Sequence, residues 1–338
     1  MREFSYYRAE SIDDAVAALG EIPNAQVLAG GTNLVDLMKY HVMQPGTVID
    51  INRLPLRSIE TLEDGSLRIG ALVSNADVAY DPRVQQDYPL LASAILAGAS
   101  PQLRNAATTG GNLLQRTRCY YFYDPSTPCN KREPGSGCSA IGGVNRIHAI
   151  LGSSQSCIAV HPSDMCVALA ALGAVVEVQG PDGCRDIAFA DFHRLPGDEP
   201  ARDNTLKPGE LVIAIRLNAD HLAANHTYLK LRDRMSYAFA LISVAVAMDI
   251  SDGRIGDIRL ALGGVAHKPW RDLAAEKDCT GLVPDQALFG RLADRLLAGA
   301  TGQGHNDFKI PLARKAIVRA LSQAAAATPQ IQSIKAVQ

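Results

Sequence analysis

This sequence of 338 residues has no large excess of positive or negative charge and no long apolar run. Lys and Arg number 33 against 35 Asp and Glu, for a formal charge of -2, and basic residues form no run. Nucleic-acid binding requires a basic surface, so we expect no nucleic-acid partner. Apolar stretches such as residues 238–248 are too short to cross a bilayer and are typical of buried strands. We therefore expect no membrane insertion.

Motifs for catalysis and for a disulfide scaffold are missing as well. The sequence has no recognisable pairing of nucleophile and base and no His-Glu-x-x-His pattern, so we expect no catalytic residue in the chain. This absence fits a carrier of electrons better than a hydrolase. Seven cysteines are too few for a disulfide scaffold in a chain of this length, and their odd number leaves at least one unpaired.

The length exceeds the usual size of one hydrophobic core, so we expect two or three packed units. Ser11 is predicted to cap the amino-terminal end of the first helix. Residues 26–40 predict a strand, a glycine turn and a helix in close succession. Residues 228–250 and 255–262 predict paired strands joined by the turn at residues 251–253, and helices follow them. This segregation of strands and helices predicts an α+β unit at the end of the chain.

Two glycine turns are near-repeats of each other, at residues 29–34 and 109–114. Each places a Gly pair and a short polar residue before an apolar run. Glycine lets backbone N–H groups approach a phosphate closely, and the start of a helix adds partial positive charge. Two such turns facing one another would grip a pyrophosphate. The alternative is that each pair only turns the chain, as Gly263-Gly264 shows that such pairs occur elsewhere, and neither turn matches a Rossmann or Walker A motif.

Four of the cysteines, Cys119, Cys129, Cys138 and Cys157, fall within a segment poor in apolar periodicity, residues 116–157. Thiolates suit soft metals, and four of them can hold zinc or an iron-sulfur cluster. The spacing matches neither the common zinc ribbons nor the bacterial ferredoxin motif, so ordinary thiols remain an alternative. An irregular segment of this length inside a compact domain is usually functional or disordered, and the cysteines favour function.

Four ordered motifs resemble one family. They are residues 29–33, residues 108–112, His161-Pro162-Ser163-Asp164 and residues 261–269. Taken alone, the third motif predicts a helix cap at Ser163 or Asp164 and a loop histidine. Together, the four resemble the FAD-binding medium subunit of the molybdenum hydroxylases, the family of xanthine dehydrogenase, aldehyde oxidoreductases and carbon monoxide dehydrogenase.

The resemblance implies an α+β fold with two parts. The first is a two-part FAD-binding domain of the vanillyl-alcohol-oxidase-like (PCMH) type over residues 1–224, with subdomains of about 1–57 and 58–224 and an iron-sulfur insert at 116–157. The second is an α+β domain of the carbon monoxide dehydrogenase flavoprotein type over residues 225–330. The insert looks closest to that of the bacterial periplasmic aldehyde oxidoreductases, whose FAD subunit holds an additional 4Fe-4S cluster.

The resemblance also implies functional residues. The residues expected around the FAD diphosphate are Gln26, Val27, Leu28, Ala29, Gly30, Gly31, Thr32, Asn33 and Leu34 with Thr108, Thr109, Gly110, Gly111 and Asn112. Asp164 is expected near the ribityl chain, and Lys230 matches a lysine that reaches the flavin in relatives. Cys119, Cys129, Cys138 and Cys157 are the expected ligands of the 4Fe-4S cluster.

The implied partners are a small subunit with two 2Fe-2S clusters and a large subunit with the molybdenum cofactor, where the substrate is oxidised. Electrons would run through the small subunit to the flavin and on to an external acceptor. Residues 1–6 show no secretory pattern, so we expect either a cytoplasmic protein or export to the periplasm with a signal-bearing partner. The alternatives are the FAD subunit of a xanthine or 4-hydroxybenzoyl-CoA type enzyme, a stand-alone FAD oxidase or dehydrogenase, and a zinc-stabilised binding module.

Overall fold

A computed structural model describes residues 1–220 and 222–333. Its strands are β1 Ser5–Arg8, β2 Ala25–Leu28, β3 Thr47–Asp50, β4 Ile59–Thr61, β5 Leu67–Gly70, β6 Val175–Gly180, β7 Gly183–Ala188, β8 Leu211–Leu217, β9 Asn225–Leu231, β10 Ile242–Ser251 and β11 Arg254–Gly263. Its helices are α1 Ile12–Glu21, α2 Leu34–Lys39, α3 Asn75–Tyr80, α4 Pro82–Asp87, α5 Pro89–Ala97, α6 Pro101–Ala106, α7 Thr109–Leu113, α8 Tyr120–Tyr123, α9 Asp164–Ala171, α10 Phe189–Phe192, α11 Leu273–Lys277, α12 Gln286–Leu296 and α13 Lys309–Ala325. No helix within these ranges is long and apolar enough to traverse a bilayer.

The first sheet is small and parallel, with the strand order β1-β3-β2. The predicted cap is confirmed, since the Ser11 hydroxyl accepts a hydrogen bond from the Asp14 amide at the start of α1. The predicted strand, glycine turn and helix are also confirmed as β2, residues 29–33 and α2. This sheet therefore presents the first glycine turn at the carboxyl end of β2.

The second sheet has five strands in the order β4-β5-β8-β6-β7, and its neighbouring strands are antiparallel. Strand β8 inserts between β5 and β6, which precede it in the chain. Helix α7, which carries the second glycine turn, packs against β5 and β8. The sheet thus positions the second glycine turn.

The last sheet is antiparallel, with the order β11-β10-β9, and α12 and α13 pack with it in one apolar core. Residues 228–250 form two strands, β9 and β10, with an irregular segment at 232–241 between them, where the alternation predicted continuous extended structure. The turn between β10 and β11 is as predicted, with positive φ at Asp252 (52°) and Gly253 (70°). Helix α9 packs against both β10 and β11 and so joins this sheet to the preceding part of the chain.

The segment at 116–157 is irregular, as expected, apart from the single turn of α8. Its apolar side chains form a small core around the buried Phe122, with Leu37 of α2 and Ile158. The three cysteines Cys119, Cys129 and Cys157 are buried within this core. The loop is therefore a packed element rather than a flexible insertion.

Candidate functional site

The first glycine turn is held against the chain that leads into the second turn. A Cβ added to Gly30 would lie 1.8 Å from the Ala106 carbonyl oxygen at the end of α6, so no side chain fits there. Gly31 has φ +73°, a left-handed conformation that favours glycine. Both glycines are therefore required by backbone geometry, and Gly30 brings the two turns side by side.

The first turn offers unpaired donors. The backbone N–H groups of residues 30–33 donate no hydrogen bond to any other described residue. The Asn33 side-chain oxygen accepts a hydrogen bond from the Arg116 amide at 2.8 Å, while the buried Nδ2 has no partner in the described part of the chain. Successive free amides and an unpartnered side-chain donor form a concavity suited to anionic oxygens.

In the second glycine turn, most of the backbone amides already donate hydrogen bonds. The amides of Thr109 and Gly110 donate to the carbonyls of Val73 and Ala71 at 2.9 and 2.8 Å, which ties the turn to the second sheet. The Gly111 amide makes a longer bond of 3.3 Å to the Thr108 hydroxyl. The two turns are therefore not equivalent, because the first has free amides and the second is mostly engaged.

Asn112 organises the polar wall of the site. Its Nδ2 donates to the Asn75 side-chain oxygen at 2.7 Å, and its Oδ1 accepts hydrogen bonds from Gln115 and from the Ser163 hydroxyl. The Ser163 hydroxyl also accepts from the Cys166 amide and so caps α9, which confirms one of the two caps proposed from sequence. Asn112 thus connects the second glycine turn to the His-Pro-Ser-Asp segment.

Asp164 and Lys230 contact each other directly. Lys230 Nζ lies 2.7 Å from Asp164 Oδ2, and both side chains are at most 8% exposed. The Tyr228 hydroxyl donates to the other carboxylate oxygen at 2.7 Å. Burial, followed by the charge of Asp164, raises the pKa of Tyr228 well above its usual value, so the phenol stays protonated as the donor.

These elements surround one deep cleft of about 940 Å³. Of the residues expected at FAD, those that line it are Thr32, Asn33, Gly111, Asn112, Asp164 and Lys230. The remaining expected residues do not line the cleft; they are Gln26, Val27, Leu28, Ala29, Gly30, Gly31, Leu34, Thr108, Thr109 and Gly110. The volume lies within the range of cofactor sites in proteins.

The four expected cluster ligands converge. Cys119, Cys129, Cys138 and Cys157 line one small cavity beside the cleft, and Cys119 lines both. All four are free thiols. Burial raises the pKa of Cys119 to about 11. A hydrogen bond with Cys157 lowers the pKa of Cys138 to about 6, and the same bond raises that of Cys157.

Two histidines that sequence reasoning did not single out contact these sulfurs. His148 Nε2 lies 3.1 Å from Cys119 Sγ, and His267 Nε2 lies 3.3 Å from Cys157 Sγ. Burial lowers the pKa of His148 to about 4 and that of His267 to about 3, so both rings are neutral near pH 7. His267 falls inside the motif at residues 261–269, whereas nothing in the sequence pointed to His148.

A buried cation also faces the thiol cavity. Lys131 is 3% exposed, donates to the Pro200 carbonyl at 2.7 Å and forms an ion pair with Asp203. Arg116 binds the other oxygen of Asp203 at 2.7 Å. Burial alone would raise the pKa of Asp203, but the charges of Lys131 and Arg116 lower it to about 2. Positive charge is thus placed next to the cysteines.

A neutral cluster of two histidines and one cysteine lies beside the second glycine turn. His161, Cys166 and His193 are the set of three among the described residues whose ligand atoms all lie within 4.8 Å of one another. Burial raises the pKa of Cys166 to about 12 and lowers that of His193 to about 4. His193 Nε2 lies 2.8 Å from the Leu113 carbonyl at the end of α7, which positions this helix.

Family models and relatives agree with this architecture. The model described as the FAD binding domain in molybdopterin dehydrogenase matches residues 2–218, and the carbon monoxide dehydrogenase flavoprotein C-terminal domain matches residues 226–324. The chain is 49% identical over 327 residues to the aldehyde oxidoreductase FAD-binding subunit PaoB of Escherichia coli (strain K12), covering 96% of this chain and 99% of the relative. It is 31% identical to the glyceraldehyde dehydrogenase medium chain of Sulfolobus acidocaldarius, covering 87% of each.

Among solved structures, the carbon monoxide dehydrogenase of Hydrogenophaga pseudoflava contains a chain that is 29% identical, with a TM-score of 0.76. The match covers 96% of this chain and 98% of that one. Fold, family models and relatives point to the same assignment, including the FAD expected from the sequence. This chain belongs to the family of FAD-binding medium subunits of the multi-subunit molybdenum hydroxylases, and it is an oxidoreductase subunit.

Proposed function

We propose that this chain is the FAD- and 4Fe-4S-containing electron-transfer subunit of a heterotrimeric molybdenum-dependent aldehyde oxidoreductase. One observation carries the proposal: four thiols from a packed loop line one cavity that adjoins the cofactor cleft, and Cys119 belongs to both walls. The identity of 49% to an aldehyde oxidoreductase FAD-binding subunit supports aldehydes as the substrate class.

In the cleft, we assign the residues around 26–34 and 108–112 to the FAD diphosphate. The free amides of residues 30–33 and the unpartnered Nδ2 of Asn33 support this assignment, because a diphosphate would satisfy them. Gly111 allows close backbone approach from the other side. Asp164 is assigned to the ribityl chain and Lys230 to the flavin, and their direct pairing on the cleft wall is consistent with both roles.

In the second cavity, we assign Cys119, Cys129, Cys138 and Cys157 to a 4Fe-4S cluster. A zinc ion bound by four thiolates would bring the sulfurs to about 3.8 Å from one another, given a Zn–S distance of about 2.3 Å. In the described part of the chain, no three of these cysteines have sulfurs that all lie within 4.8 Å of one another. These sulfurs therefore do not form the compact set that a single ion needs, and the buried Lys131, which lines the cavity, would offset the negative charge of a cluster.

When bound, the flavin can exchange electrons singly or in pairs, which suits a subunit between one-electron clusters and an acceptor. We propose that electrons arrive from two 2Fe-2S clusters of a small subunit and leave to an external acceptor. The substrate is oxidised at the molybdenum cofactor of a large subunit, so no residue of this chain is assigned to substrate chemistry. We also propose the division at residues 224 and 225, which the two family matches support.

The experiment is metal and cofactor analysis of the native complex and of Cys129→Ser. We expect about eight irons and matching acid-labile sulfide per heterotrimer in the native complex, of which four belong to the small subunit and four to the cluster of this chain. Cys129→Ser should lose the iron of this cluster and the associated absorbance while FAD remains bound. Cys184→Ser is the matched control, because Cys184 is exposed and lies outside the cavity.

The small subunit also contributes iron. The measurement therefore compares the iron content of the native complex with that of the complex carrying Cys129→Ser. Zinc in place of iron would overturn the cluster assignment. Iron content unchanged by Cys129→Ser would show that this cysteine is not a ligand. A preparation without FAD would overturn the cofactor assignment itself.

A further inference from the structure

We propose that His148 and His267 donate N–H···S hydrogen bonds to Cys119 and Cys157 and thereby raise the reduction potential of the 4Fe-4S cluster. The inference rests on the proposed function, since it concerns the sulfurs assigned as cluster ligands. It adds two positioning residues, each in contact with one cysteine of the thiol cavity.

The geometry at Cys119 supports a directed hydrogen bond. His148 Nε2 is 3.1 Å from Cys119 Sγ, within hydrogen-bond range for sulfur, and the ring is 1% exposed. The other ring nitrogen, Nδ1, has no hydrogen-bond partner among the described residues. A neutral imidazole carries one N–H. Burial lowers the pKa of His148 and the Asn145 carbonyl raises it, but that carbonyl does not have hydrogen-bond geometry with Nδ1, so a proton there would be a buried donor without an acceptor. The proton is best placed on Nε2, facing the sulfur.

The same arrangement recurs at Cys157 through an unrelated part of the chain. His267 Nε2 is 3.3 Å from Cys157 Sγ, the residue is 7% exposed, and its Nδ1 also lacks a partner in the described ranges. His267 follows β11, more than a hundred positions from the cysteine it contacts. Two independent segments therefore deliver the same donor group to two of the four sulfurs.

Hydrogen bonds to its backbone carbonyl and amide hold His148 in place. Its carbonyl accepts hydrogen bonds from Lys309 Nζ at 2.8 Å and from Asn306 Nδ2 at 3.3 Å, and its amide donates to the Asn145 carbonyl at 2.9 Å. The ring also packs edge-on against Tyr120, with centroids 6.3 Å apart. These contacts hold the backbone and the ring of His148 in place, as hydrogen-bond partners around metal sites orient the groups next to the metal.

Hydrogen bonds to cluster sulfurs stabilise the more negative, reduced state and so raise the potential. Removing one donor should lower the equilibrium constant for one-electron reduction about tenfold, which corresponds to about 59 mV. His148 lines the cofactor cleft as well as contacting Cys119, whereas His267 does not line the cleft. His148 therefore lies on the side of the cluster that faces the flavin site.

The test is an EPR-monitored redox titration of the cluster in the purified complex. His148→Phe and His267→Phe remove the donor and retain a ring, and each should lower the potential. His148→Gln retains an N–H donor and should restore most of the native value. His305→Phe is the matched control, because His305 is exposed and its ring lies 3.2 Å from the Gly143 carbonyl rather than against a cysteine; it should leave the potential unchanged.

His148→Phe and His267→Phe with full iron content and native potentials would overturn this inference while leaving the cluster assignment intact. Loss of iron in Cys129→Ser checks that assignment separately. Should the Phe variants fail to assemble, pulsed EPR of the reduced native protein labelled with ¹⁵N-histidine decides the matter. Weak coupling to histidine nitrogen is expected, and its absence would overturn the proposal.

Discussion

Lys230 donates a hydrogen bond to the Asp164 carboxylate at 2.7 Å, and the two residues are 66 positions apart in the chain. Lys230 lies on β9, in the part matched by the carbon monoxide dehydrogenase flavoprotein domain, whereas Asp164 begins α9 in the FAD-binding part. The buried pair therefore fastens the two parts together at the wall of the cofactor cleft.

Lys230→Met should destabilise the protein by about 3–5 kcal/mol, because it leaves the buried Asp164 charge without its partner. The measurement is denaturant unfolding of the FAD-loaded chain. The double variant with Asp164→Asn should recover part of the loss, since no charge is then unpaired. Arg314→Met is the control: its pair with Asp294 is exposed (48% and 59%), so the change should be below about 1 kcal/mol. Native-like stability of Lys230→Met would refute the role of the pair.

Gly30→Ala should separate the two glycine turns. The new Cβ would meet the Ala106 carbonyl oxygen at 1.8 Å, so the backbone must shift, at a cost of at least about 1–3 kcal/mol. We expect lower thermal stability and reduced FAD content. Gly20→Ala is the matched control, because no atom lies within 4 Å of its added Cβ, and within α1 it should stabilise by about 0.5–1 kcal/mol. Full FAD occupancy in Gly30→Ala would contradict the close approach.

Asn33→Asp should weaken FAD binding strongly. The substitution keeps the oxygen that accepts from the Arg116 amide, but replaces the unpartnered Nδ2 with an anionic oxygen facing the proposed diphosphate. We expect at least about a tenfold rise in the Kd for FAD, equivalent to about 1.4 kcal/mol. Titration of the deflavinated protein measures it. Asn204→Asp adds the same charge outside the cleft while keeping the acceptor for the Leu206 amide, and should bind FAD normally.

Lys309 should make the free energy of unfolding rise with pH in the alkaline range. Burial lowers its pKa from 10.5 to about 7, and the side chain is fully buried. Between these values the unfolded chain binds more protons than the folded one, so the free energy of unfolding should rise with pH, by up to about 1.4 kcal/mol per unit. Unfolding at pH 7, 8 and 9 should show this slope in the native protein and a smaller one in Lys309→Met. Equal slopes would contradict the lowered pKa.

Local signals in the sequence were sufficient for several elements. Ser11 caps α1, the turn at Asp252-Gly253 joins β10 and β11, and the irregular character of residues 116–157 follows from its composition. These features depend on neighbours a few positions away, which is why spacing and residue type predict them. The break between β9 and β10 escaped prediction, because the alternation of residues 228–250 continues through it.

The sequence by itself determined the family, through four short motifs, and named the four thiols and six of the residues that line the cleft. Only the tertiary structure decided that the two glycine turns differ, since the engagement of Thr109 and Gly110 depends on β5 and its neighbouring loop. It also decided that Lys230 pairs with Asp164 and that His148 faces Cys119. Contacts between residues distant in the chain arise from packing of whole elements, and no local pattern of residues encodes them.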